Sequence, residues 1–172
     1  FGAIIKMGDS FPNRKALFDV GAAGPWGGVL ATIALVFISG KSIIPTLSFD
    51  QVDFAIFVGL FLTFINLFPF GQLDGGHVFY ALSGIHYKWL KFIVIFLVFI
   101  YSVFLLKIVS VFLIFMMISI AGFNHSPTVN NGIPLDKTRR IVSVATIILF
   151  FVLSAIISLA SQSAFTAPLK NF

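Results

Sequence analysis

The residues most able to do chemistry lie close together, in Asn66-Leu67-Phe68-Pro69-Phe70-Gly71-Gln72-Leu73-Asp74-Gly75-Gly76-His77. Asp74 follows an uncharged stretch, Phe54 to Phe70. Near the middle of a membrane helix a carboxylate costs about 2.5–3.5 kcal/mol, so such groups face a partner, a proton path or a metal ion. Three roles are open to Asp74: a metal ligand, a proton or cation site, or a capping or salt-bridged residue at a helix break. The chain has no cysteine, which removes thiolate ligands and leaves imidazole and carboxylate donors. His77, three residues after Asp74, shares a helical face with it and reads as a hydrogen-bonded neighbour. His86 and His125 fall in loops and read as solvated. Asn66 either lines the site or satisfies carbonyls that Pro69 leaves free.

The elements around these residues follow from composition. Hydrophobic residues make up 59% of the 172, charged residues only 10%, and the mean hydropathy is +1.07. That balance belongs to a chain solvated mostly by lipid. Uncharged segments at Ala22 to Gly40, Phe54 to Phe70 and Ile141 to Ala160 each suit a membrane span. Phe92 to Phe123, where only Lys107 is charged, suits two short spans meeting near that lysine. Gly24-Pro25 punctuates the start of the first span, and the G-x-x-x-G spacing of Gly24 and Gly28 either admits a close helix neighbour or gives the helix a flexible entry. Pro69 cannot donate to the Ile65 carbonyl, and Gly71, Gly75 and Gly76 weaken the helix further. The second span should therefore open around residues 69–73 and resume through Ser83. Unwound backbone at that depth requires a buried polar cavity.

The fold expected is an all-α polytopic membrane protein of about five transmembrane helices, one of them interrupted. A short β element is expected at Phe1 to Met7, and residues 1–172 read as a single membrane-embedded domain. With five spans, loops 1–21, 84–91 and 122–140 share a side and hold eight of the eleven Lys and Arg residues, which assigns that side to the cytoplasm. The net charge of +5 then reports topology, and nucleic acid is not an expected partner.

Asn66-x-x-Pro69-x-x-x-Leu73-Asp74-Gly75-Gly76 resembles the N-x-x-P-x-x-x-L-D-G-G signature of the site-2 protease family of intramembrane zinc metalloproteases. Phe1-Gly2-Ala3-Ile4-Ile5-Lys6-Met7, Asn13-Arg14-Lys15-x-Leu17-Phe18-Asp19 and Ala23-Gly24-Pro25 resemble the segment that follows the zinc-binding helix in archaeal, bacterial and plastid members. The resemblance implies Zn2+ as cofactor and Asp74 as its third protein ligand. The other two ligands are the histidines of an upstream H-E-x-x-H helix, whose Glu is the general base. The chain contains no H-E-x-x-H. The expectation is thus a C-terminal portion, truncated at its N-terminus, inactive alone and partnered by the missing helix.

By the same resemblance Asn66 stabilises the developing oxyanion, while Pro69, Gly75 and Gly76 shape the site, the glycines admitting the metal helix. Substrates would be transmembrane helices. Once locally unwound, such a substrate could pair with the edge formed by Gly2, Ala3, Ile4 and Ile5. Localisation would be multi-pass in a membrane, the cell membrane in a prokaryote. The rival readings are a catalytically dead pseudoprotease or substrate-binding scaffold, and a proton- or cation-coupled transporter built on Asp74.

Overall fold

The computed structural model describes residues 11–45, 50–69, 71–101, 125 and 127–166. Five α-helices and no strand lie among them: α1 (Arg14–Ser39), α2 (Gln51–Asn66), α3 (Asp74–Ser83), α4 (Tyr87–Tyr101) and α5 (Lys137–Thr166), with a 3-10 turn at Gly84–His86 between α3 and α4. The β element expected at Phe1 to Met7, and with it Gly2, Ala3, Ile4 and Ile5, lies outside the described residues, as does the hairpin expected near Lys107.

The first helix begins well before the expected Ala22. Asn13 caps it, its side-chain oxygen accepting hydrogen bonds from the Lys15 and Ala16 amides at 3.0 Å each. Arg14 ties that first turn down by donating to the carbonyls of Ile133 (3.1 Å) and Ala81 (3.3 Å). Pro25 therefore lies inside α1 rather than in its first turn. At the far end Gly40 closes the helix with φ 66°, a left-handed cap that suits glycine. The 26 residues of α1 reach about 39 Å at 1.5 Å each, enough to cross a hydrocarbon core of about 30 Å.

α2 starts on Asp50, which accepts from the Val52 amide at 2.8 Å and the Asp53 amide at 3.3 Å and binds Lys41 at 2.9 Å. The expected interruption is present, and it opens two residues early, at Leu67. The Leu67 amide is shared between the Thr63 and Phe64 carbonyls at 3.1 Å each, the tightening of a last turn. Pro69 disfavours helical geometry at Phe68, so α2 ends ahead of it. Gly71 turns the chain with φ 66°, and α3 begins at Asp74.

Small residues set how these helices pack. A methyl at Gly28 would stand 2.5 Å from Thr63 Oγ1, and one at Gly59 would stand 2.7 Å from Thr32 Oγ1, so each glycine seats the other helix's threonine. Further along α1, a methyl at Gly21 would stand 2.6 Å from the His77 Cβ. Residue numbers fall on α1 as they rise through α2 and α3, so both halves of the broken helix run antiparallel to α1. α5 runs parallel to it, through Asp19–Arg139 (2.8 Å) and a hydrogen bond from Trp26 Nε1 to Thr146 Oγ1 (3.0 Å).

Below the break, Phe64, Phe68 and Phe150 form one aromatic cluster, with Phe64 stacked on Phe150 at 5.2 Å. Beyond it, Leu17, Phe18, Val78, Phe79 and Tyr87 form a second buried cluster. α1 and the Lys137–Ala160 part of α5 are long and apolar enough to cross a membrane. Their apolar side chains also point outward, Phe37 being 89% and Ile38 85% exposed, which is consistent with a lipid surround. Arg14, Lys15, Lys88, Lys91, Lys137, Arg139 and Arg140 lie where α1, α4 and α5 begin and α3 ends, whereas Lys41 sits at the opposite end with Asp50 and Asp53.

A candidate carboxylate site at the helix break

Asp74 is the first residue of α3, delivered there by the turn through Gly71 and Gln72. Its carboxylate lies against Gly24 of α1, where any Cβ would run into Oδ2. The side chain is half-buried, and no hydrogen bond or ion pair of its carboxylate is found among the described residues. It does not act as the helix cap, because Leu73 occupies that position and offers no side-chain acceptor. The chain thus holds an unpaired acid next to a glycine cradle, at the start of a half-helix.

The other residues singled out from sequence are placed unequally. Pro69, Gly75 and Gly76 are buried at the break. Gly75 does make a close approach, but to its own chain: a Cβ there would overlap the Leu67 carbonyl. The glycine thereby lets α3 fold against the end of α2, and its surface is already occupied. Asn66 is the last residue of α2 and is exposed, and no hydrogen bond joins it to Asp74.

His125 departs from the sequence expectation. It is buried, at 8% exposure, and its Nε2 lies 2.6 Å from His77 Nδ1. At that distance one imidazole donates and the other accepts, so the accepting ring must be neutral at that nitrogen. His125 also stacks on Tyr80 at 4.3 Å, and Phe11 meets His77 edge-on at 5.8 Å. The Tyr80 hydroxyl donates to Asn131 Oδ1 at 3.0 Å, and Thr128 donates to the same oxygen at 2.6 Å. Aromatic stacking and imidazole pairing offset the desolvation of His125. Nothing local to its loop, rich in turn formers, signalled a partner 48 residues away.

Among the described residues no three His, Asp, Glu or Cys side chains converge as a metal site. Asp74 is therefore a single carboxylate donor here, and the described residues supply no complete shell for a metal ion. Residues 41–109, which include the whole of Asn66 to Gly76, match the model of peptidase family M50, a match that supports the resemblance drawn from the signature. No curated protein and no solved structure matches the chain.

Proposed function

We infer that this chain, whose residues 41–109 match the metalloproteases of peptidase family M50, contributes the carboxylate ligand of an intramembrane zinc protease that cuts transmembrane substrates. The observation that carries the reading is Asp74 itself: half-buried, unpaired, seated on Gly24 and placed by a helix break within the matched segment. Zinc, when bound, supplies the Lewis acidity that makes peptide hydrolysis feasible where bulk water is scarce.

The chain's own residues have three tasks. Asp74, at the start of α3, would hold the ion through its carboxylate. Pro69 and Gly71 keep α2 from continuing, so that the carboxylate starts a helix instead of lying along one. Asn66, exposed at the end of α2, is available to donate its amide to the oxygen of a cleaved carbonyl. Catalysis further requires two imidazole ligands and a general-base Glu beside Asp74. The substrates are transmembrane helices, and the protein is multi-pass.

The rival reading is a scaffold that holds transmembrane partners without cutting them. Cleavage decides between the two. The protein purified from its native membrane should cut a model transmembrane substrate, lose activity to a zinc chelator, and lose at least about a hundredfold in rate with Asp74→Asn. Substrate binding without cleavage would assign the scaffold role, and chelator-resistant ion uptake abolished by the same variant would assign a transporter.

A further inference from the structure

A cavity of about 250 Å³ lies between α3, α4 and α5. Its inner wall is the helix break itself, through Leu67, Pro69 and Gly75, all of them buried. Leu97 on α4 and Phe151 on α5 are the described wall residues that reach the surface, at 57% and 43% exposure, so the mouth lies between those two helices. The lining is almost wholly apolar. Thr146 is the one polar side chain in the described wall, and its hydroxyl is already engaged. It accepts from Trp26 Nε1 at 3.0 Å and donates to the Val142 carbonyl at 2.7 Å. A buried water needs about two to four polar partners, whereas apolar cavities of about 150 Å³ stay dry and take up small hydrocarbons. The space therefore calls for an apolar occupant.

Depth and continuity identify it. Trp89, 78% exposed in the first turn of α4, marks the head-group level of a bilayer. Val94 and Leu97 of the wall lie about 8–12 Å further along α4 at 1.5 Å per residue. That is the level of acyl chains in a hydrocarbon core of about 30 Å. Beside the mouth, Ile93 and Phe96 of α4 and Ile148 and Val152 of α5 are all exposed. Whatever leaves the cavity crosses apolar surface, so the remainder of the occupant is apolar as well, as in an unbranched hydrocarbon chain. We propose that this cavity takes up one acyl chain of a membrane phospholipid, which enters between Leu97 and Phe151 and ends against Pro69 and Gly75. The site rests on the membrane reading alone and stands or falls independently of zinc or proteolysis.

Trp26 is a built-in reporter, because its indole N–H binds Thr146 in the wall. Trp89→Phe leaves it the single tryptophan of the chain. The full chain with that change is reconstituted into phosphatidylcholine whose acyl chains are brominated midway, bromine being a short-range quencher of indole. Compared with unbrominated lipid, Trp26 should lose at least about half of its emission, as an occupied apolar cavity requires. Val94→Phe and Ile147→Phe, which fill the cavity from the α4 and α5 sides, should each restore most of that emission. Ile93→Phe, on the outer face of α4 and off the wall, should leave the quenching in place. Iodide in the water should not quench Trp26 in the unfilled cavity. Failure of brominated lipid to quench would overturn the proposal, and so would quenching by aqueous iodide, neither of which depends on a filling variant. Quenching undiminished in either filling variant that keeps its helical circular dichroism would overturn it too, by placing Trp26 against annular lipid instead.

Discussion

Asp74 is held by a single small neighbour on α1. Gly24 is the position where a side chain would collide with the carboxylate, while a methyl at Gly27, three residues on, would meet nothing within 4 Å. The two glycines therefore predict opposite outcomes. Gly24→Ala should lower stability by about 1–3 kcal/mol through overpacking and displace Asp74. Gly27→Ala should leave the site intact and raise stability by about 0.5–1 kcal/mol, the helix-propensity gain. Thermal unfolding of both variants in detergent checks the pair. If both lose stability equally, the cradle is not a specific contact.

At the scale of elements, the ends of helices carry the electrostatics. Asp136 accepts the Arg139 amide at 2.9 Å, capping α5, and pairs with its guanidinium, which also binds Asp19 through two 2.8 Å hydrogen bonds. The Arg139 amide first, and then its side chain, hold the Asp136 carboxyl below the usual carboxylate range. A group whose native pKa is depressed stabilises the fold fully above its unfolded pKa of about 3.9 and loses that contribution as pH falls through the native value. Asp136→Asn should therefore melt at a lower temperature at pH 7, with the gap to the parent closing below about pH 4. A gap constant from pH 7 to pH 3 would exclude the charge as its cause.

Elements were legible in the sequence where periodicity or punctuation was strong. Pro69 with Gly71 announced the broken helix, whereas Gly24 and Gly28 left a close approach and a flexible helix entry equally open until α3 and Thr63 were seen against them. The start of α1 was not legible, because Arg14 and Lys15 look like loop until Asn13 is seen to cap them and Ile133 to receive Arg14. The His77–His125 contact was hidden for a related reason: it depends on a tertiary approach that no local pattern encodes. Asp74 was found from its depth and motif, but its glycine seat required the packing of α3 on α1.

At the scale of the whole molecule, one end is basic and the other carries Lys41 with Asp50 and Asp53. The positive-inside bias then makes an orientation testable, and the cysteine-free sequence makes the test clean. Single cysteines at Lys15 and Lys88 should react with a membrane-impermeant maleimide only when the cytoplasmic side is exposed, and one at Ser42 only from the opposite side. Labelling of Ser42→Cys and Lys88→Cys from the same side would contradict the antiparallel arrangement of α1 with α2 and α3.

A zinc ligand at Asp74 would show itself in the metal content of the protein. Protein purified from its native membrane should hold about one Zn2+ per molecule. Asp74→Asn should hold at least about tenfold less, while Asp53→Asn, at the other end of α2, should hold as much as the parent. Full zinc occupancy in Asp74→Asn would contradict the account.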